Sequence, residues 1–309
     1  MARLLTHEIL RTRNFEEAPT DETSSVANDA LFTRQLSPTP GGILVDLRGS
    51  WSAISILDCV SQIRKLTATE PVFLKYRSSA TLAQFLELSE RVGLAGPLAV
   101  HGLGVAGQAF TSDDEYLMRA VAKSRCGLVL SPWKIDREGI AGAEIDWIVD
   151  AMGKALEWAV ARGAPGPIFL DALSWPALID PAGTRRSISL VKQYNEHFSN
   201  ANSFITIDPV GAGSAANLQI SLESVLFAAM WNNQVDTIAC PYQMPHIERL
   251  SKIASEQARP EYGDEFFLQK LIQLELWEVL ETILDANISP SLKEAVYQIY
   301  FNDPLTMEF

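Results

Sequence analysis

Three cysteines, Cys59, Cys126 and Cys240, are all that the 309 residues contain. They are far apart and odd in number, which argues against a disulfide framework and for a reducing compartment. Basic residues are also in short supply: 25 Lys and Arg face 38 Asp and Glu, a formal net charge of -13. Nucleic acid asks for a basic surface, so this balance disfavours it as a partner. No apolar run reaches the length of a membrane span. Charged residues come too early at the N-terminus (Arg3, Glu8) for a secretory signal, so the expected location is the cytoplasm. Two catalytic signatures are missing as well. There is no Gly-x-Ser-x-Gly elbow for a serine hydrolase, and no Lys follows a glycine-rich turn in P-loop spacing.

What is present is a globular composition, 47% hydrophobic and 20% charged, carrying a repeated unit of short apolar run and amphipathic helix. The runs begin with Arg3 to His7, Gly42 to Leu47, Pro71 to Tyr76 and Leu98 to His101. They continue with Gly127 to Ser131, Pro167 to Asp171, Ser203 to Asp208 and Val235 to Cys240. They are continuous rather than alternating, as in strands covered on both faces of a parallel sheet. Helical spacing marks Ile54 to Leu66, Leu82 to Val92, Glu115 to Ser124, Ile145 to Arg162, Ser187 to Phe198 and Leu218 to Trp231. Ser112-Asp113-Asp114-Glu115 supplies a helix start, and Gly93 and Gly163 supply stops. Eight strands with helices between them predict an α/β fold closed into a (βα)8 barrel over residues 1–243, with an open doubly wound sheet as the alternative.

Residues 244–309 differ in kind, with no further strand expected. Phe266 to Leu284 and Ser291 to Tyr300 read as helices, a C-terminal helical extension. Its apolar residues either pack on the barrel or form a dimer or hetero-oligomer surface.

In a barrel the chemistry sits at the C-terminal ends of the strands. Those ends are His7 and Glu8, Asp46 and Arg48, Lys75 to Arg77, His101, Ser131 to Lys134, Asp171, Asp208, and Cys240 with Tyr242. Asp171 can accept from a ring N–H and an exocyclic amine of a heterocycle, or cap its own loop. Asp208-Pro209 reads as a strand-end acid or as the start of a turn. Gly102, Gly104 and Gly107 after His101 read as a flexible turn or an anion cradle. Gly211, Gly213 and Ser214 precede a helix and can present N–H groups to an anion. Arg48, Lys75 and Arg77 supply positive charge for an anionic tail or make surface ion pairs. His7, His101 and Cys240 are the only zinc grouping that strand ends offer, and no ligand pair is closely spaced.

The order of segments resembles a family. Glu157 to Gly163 leads into Ile168-Phe169-Leu170-Asp171-Ala172-Leu173, followed by the helix Ser187 to Phe198 and the strand and loop Phe204 to Ser214. The helix Leu218 to Trp231 and Val235 to Pro241 complete the run. This is similar to the pterin-binding barrels: the methyltetrahydrofolate–corrinoid methyltransferases and, more distantly, dihydropteroate synthase. The resemblance spans residues 1–243. It implies a tetrahydrofolate-like pterin gripped at Asp171, and a cobalamin carried by a partner corrinoid protein. The chain departs from the family at Lys75, where Asp is usual, and at His101, where Asn is usual. It departs again at Pro209, where an Asn assists N5 activation; the adjacent Asp208 is the substitute at hand.

Three functions follow. One is methyl transfer between a pterin and a corrinoid, with Asp171 and Asp208 catalytic and Asp46, Arg48, Lys75, His101, Asp171, Gly211, Gly213 and Ser214 binding. Another is a diverged, non-catalytic subunit of a methyltransferase complex. The last is an unrelated lyase or aldolase using Lys75 as a Schiff-base amine.

Overall fold

The computed structural model describes residues 3–11, 42–66, 69–94, 96–104, 110–132, 145–241, 244–261, 263–274 and 288–301. Eight parallel strands pair in sequence order, and the first closes on the last. They are β1 (Arg3–Arg11), β2 (Ile43–Arg48), β3 (Val72–Lys75), β4 (Leu98–Gly104), β5 (Gly127–Ser131), β6 (Ile168–Asp171), β7 (Asn202–Thr206) and β8 (Thr237–Pro241). The closing register sets Leu5 against Ala239 and Thr6 against Cys240. The barrel reading therefore holds, and the open sheet does not.

Around the strands run α1 (Ala53–Leu66), α2 (Ser79–Arg91), α3 (Ser112–Ser124), α4 (Ile145–Ala161), α5 (Pro181–His197) and α6 (Ala216–Asn232). The starts of α1, α2, α3 and α5 are set by side chains of Ser52, Ser78, Thr111 and Asp180 that accept from free N–H groups of the first turn. Thr111 and Asp114 form a reciprocal capping box at α3, one residue ahead of the start read from sequence. Asp180 caps α5 and Pro181 occupies its first turn. The sequence reading began α5 at Ser187, six residues late, because Ala182-Gly183-Thr184-Arg185-Arg186 carries no apolar stripe.

The core has two layers, divided by the alternation of side chains along each strand. Inside the barrel, Leu44, Phe73, Ala99, Val129, Phe169, Phe204 and Ala239 come one from each of β2 to β8 and form a separate apolar cluster. Phe73 meets Phe169 edge-on at 5.0 Å and stacks on Phe204 at 5.8 Å. Outside, Val45, Leu74, Val100, Leu130, Leu170, Ile205 and Ile238 face the helices in a larger cluster.

After β8 come α7 (Pro245–Ala254), α8 (Asp264–Gln273) and α9 (Pro290–Tyr300). The sequence reading had no helix at α7. Of its helix over Phe266 to Leu284, the part beyond residue 274 lies outside the described residues, as do Trp277 and Phe309. All three helices pack on α6. That contact explains why α6 is buried on every side from Ser221 to Met230, with no single apolar stripe: it is sandwiched between barrel and tail. Asn232 ties α6 to α8 by donating to the carbonyl of Leu271 at 3.0 Å. No helix among the described residues is long and apolar enough to cross a membrane.

Candidate functional site at the barrel mouth

Two residues beyond each member of the inner cluster, the same strand face points into the barrel again, now at its C-terminal end. Of those seven positions Pro241 on β8 is apolar, and the other six are Asp46, Lys75, His101, Ser131, Asp171 and Thr206, on the consecutive strands β2 to β7. All but Lys75 are buried. Adjacent members stand side by side in the ladder: Asp46 pairs with Lys75, and Lys75 with His101. A polar ring thus rests on an aromatic floor. Sequence reasoning found five of the six and missed Thr206. The signal was available, since Thr206 follows the inward Phe204 by one strand period.

The ring centres on Asp171. His101 Nε2 lies 3.0 Å from its Oδ2, Ser131 Oγ donates to the same oxygen at 3.2 Å, and the Leu173 N–H donates to Oδ1 at 2.9 Å. Burial pushes this carboxyl up, but the His101 hydrogen bond, the charges of His101 and Lys75 and the Leu173 N–H outweigh it and hold the group below its ordinary value. Asp171 therefore caps its own loop, one of the two sequence readings, and is also a hub of the mouth. His101 is 2% exposed, and its Nδ1 has no hydrogen-bond partner.

A second group lies beside the first. Asp46 Oδ2 receives Arg48 at 3.1 Å and has Lys75 Nζ at 4.0 Å. The Arg48 side chain is half exposed, so its pair contributes little to stability. Tyr76 points to the opposite face, where its hydroxyl accepts from the Trp51 N–H at 2.9 Å.

The glycine-rich stretch after His101 is strand rather than turn as far as Gly104. The β4–β5 register shifts between His101 and Leu103, a bulge at Gly102. A Cβ on Gly102 would lie 2.3 Å from Leu82 Cδ1 and 3.2 Å from the Tyr76 carbonyl oxygen, so a larger residue here requires the Leu82 side chain to move. Residues 105–109, including Gly107, lie outside the described residues. So do Lys134 and Tyr242, together with the side chains of His7 and Glu8.

β7 ends at Thr206, and Asp208 opens the 3-10 turn Asp208–Gly211 instead of ending the strand. Its charge acts on Cys240. In the helix approach, Gly211 is required by packing, since a Cβ would meet Gln219 Cγ at 2.4 Å, and Gly213 has φ +85. Ser214 Oγ has no partner, and Ala215 gives α6 no side-chain cap.

Cys240 faces the helices while His101 faces the barrel interior, so the strand wall separates the two. That overturns the convergence on zinc considered from sequence. Among the described residues no three His, Cys, Asp or Glu gather as metal ligands. Burial first, with nearby carboxylates second, pushes the Cys240 thiol up to about 12. It is a packing residue. Sequence reasoning also missed a buried carboxylate, Glu223 on α6, which His246 approaches at 3.0 Å.

A cavity of about 480 Å³ lies at the opposite, N-terminal end, under Phe73, Ala99 and Phe169 and edged by Pro71, Pro97 and Pro167. Among the described residues its charged lining groups are Glu90, Lys123 and Arg125, all on the exterior side, and Lys123 is paired with Glu90 at 2.8 Å. The clustered polar groups are at the mouth.

The sequence matches no protein-family model, and no curated protein is similar enough to match. Solved structures do match in shape. Dihydropteroate synthase of Yersinia pestis with a pterine-sulfa conjugate aligns at a TM-score of 0.55 and 11% identity, covering 83% of this chain and 95% of that one. The Xanthomonas albilineans enzyme with 4-aminobenzoic acid gives 0.53 and 12%, covering 84% and 94%. That of Thermus thermophilus in complex with 6HMPPP gives 0.50 and 14%, with 84% and 94% covered. The chain has the barrel fold of these enzymes. At such identities the likeness is one of fold.

Proposed function

We propose that the mouth of this barrel binds a pterin-class heterocycle through Asp46, Lys75, His101, Ser131, Asp171 and Thr206. The ring of six inward polar side chains carries this reading. Buried polar groups cost free energy unless they are paired. Above the Phe73–Phe204 floor, a flat ligand with donors and acceptors along its edge suits them. The pterin class is supported by the fold shared with dihydropteroate synthases, one of which was solved with a pterine-sulfa conjugate. Arg48 at the half-exposed rim and the Gly211, Gly213 and Ser214 turn are the groups proposed to meet the ligand's polar tail.

In its fuller form the proposal has the pterin give a methyl group to a corrinoid held by a separate protein. Loss of methyl from a ring nitrogen requires a proton or hydrogen bond there; Asp208 is the acid proposed for it, and the ionised Asp171 is proposed to orient the ring by accepting from its N–H groups. Leu178 and Ile179, 50% and 79% exposed on the loop after β6, offer that protein an apolar contact.

Calorimetric titration with methyltetrahydrofolate tests the first step. Saturable binding that Asp171→Ala and Lys75→Met both weaken is the expected result. If neither methyltetrahydrofolate nor pterin binds the unaltered chain, the proposal fails. Demethylation in the presence of cob(I)alamin tests the fuller form.

A further inference from the structure

We propose that His101 is the proton-transfer residue of the mouth: its Nδ1 takes a proton from a ring N–H or hydroxyl of the bound ligand while Asp171 holds the opposite nitrogen. The inference rests on the reading of the mouth as a ligand site.

The arrangement begins with β4, which ends inside the barrel with His101 facing inward two residues after Ala99. The ring is buried against the edge of Phe204, centroids 6.2 Å apart, and Nε2 meets Asp171 at 3.0 Å. An ionised carboxylate only accepts hydrogen bonds, so the hydrogen between them belongs to Nε2. Asp171 is kept ionised by its other donors, Ser131 and the Leu173 N–H, and by the charge of Lys75. In the neutral ring Nδ1 then carries a lone pair. A buried ring nitrogen without a partner is uncommon, because leaving its hydrogen bond unmade costs free energy. A ligand donor removes that deficit.

The step balances. The ligand N–H or O–H bond breaks, the Nδ1–H bond forms, and the electron pair stays on the ligand. The resulting imidazolium lies against Asp171, as in other carboxylate–imidazole pairs. The ligand anion forms near Lys75, whose backbone is in register with His101 on the neighbouring strand. Among the described residues the charged or titratable groups around the imidazole are Asp171 on β6, Lys75 on β3 and, beyond Lys75, Asp46 on β2. Ser131 donates to Asp171 and not to the imidazole, so it is a positioning residue for the carboxylate rather than a nucleophile.

Nitrogen-15 NMR of the full chain with labelled histidine tests this, with His101→Gln assigning the signals and pterin as the probe. Expected in the free protein is His101 with hydrogen on Nε2 and none on Nδ1. Adding pterin should protonate Nδ1 while the bound pterin absorbs as its anion, and Ser131→Ala should lower the fraction bound as anion, with Ser131→Thr restoring it. A proton on Nδ1 of the free neutral ring overturns the proposal. So does neutral pterin bound beside an unprotonated Nδ1. If pterin does not bind, the pterin reading of the mouth fails, and the free protein decides His101 alone. Hydrogen fixed on Nε2, and released from that position in Asp171→Asn, then supports the dyad; hydrogen on Nδ1 sinks it.

Discussion

The two ends of this barrel share one wall and differ in everything beneath and above it. Below the Phe73–Phe169–Phe204 floor is a cavity of about 480 Å³ edged by prolines, with charges confined to its outer rim. Above it, two residues further along the same strands, stands a ring of buried acid, imidazole and hydroxyl groups with the part-exposed Lys75 among them. The upper end is where groups that can bind edges or move protons are concentrated. Strand direction tells the ends apart: side chains at strand C-termini are followed by loops free to vary, whereas the N-terminal end is fixed by packing.

The contrast can be broken most severely at the floor. Phe73→Ala removes the ring that touches both Phe169 and Phe204, and should destabilise the fold by about 3–5 kcal/mol, read from the denaturant midpoint. A loss below about 1 kcal/mol would mean the two ends are not divided by a packed wall.

Next comes the hub of the upper ring. Asp171→Ala strands the donors of His101, Ser131 and Leu173 in a buried place and should cost about 3 kcal/mol at neutral pH. The pH sign follows from a carboxyl held below its ordinary value near 3.8. The unfolded chain takes up the proton first, so this contribution is complete above that pH and is lost as pH falls below it. Stability curves of the unaltered chain and Asp171→Ala should therefore converge in acid; parallel curves would remove Asp171 from the ionised hub.

The smallest effect belongs to the lower rim. Lys123→Ala breaks an exposed pair with Glu90 and should change stability by no more than about 1 kcal/mol. It should leave pterin titrations unaltered. A changed titration would move the site to the other end of the barrel.

The barrel was legible because every strand is a continuous apolar run, and a parallel strand covered on both faces has no other way to look. The mouth was legible as a set of strand ends, and Asp46, Lys75, His101 and Asp171 lie where that rule places them. Their pairing was not. That Asp171 engages His101 and Ser131 depends on β4, β5 and β6 standing side by side in the barrel wall, which brings together residues 70 and 40 apart along the chain. Gly102 misled for a related reason: its neighbour Leu82 is contributed by another unit, so a glycine packed against that side chain read as a flexible turn. Helix α7 was overlooked because His246, Glu248, Arg249 and Ser251 interrupt a narrow stripe of Ile247, Leu250 and Ile253.

The position of α6 also bears on how the chain is made. Its inner face can dock only when the neighbouring strands exist, and its outer face waits for α7, α8 and α9. A ribosome releases those helices after the whole barrel. Until they arrive, the growing chain carries an apolar helix with one side uncovered, and such surface invites association with other chains. The seam between β1 and β8 closes over the same interval. For this protein, the helices made after the barrel are what completes it.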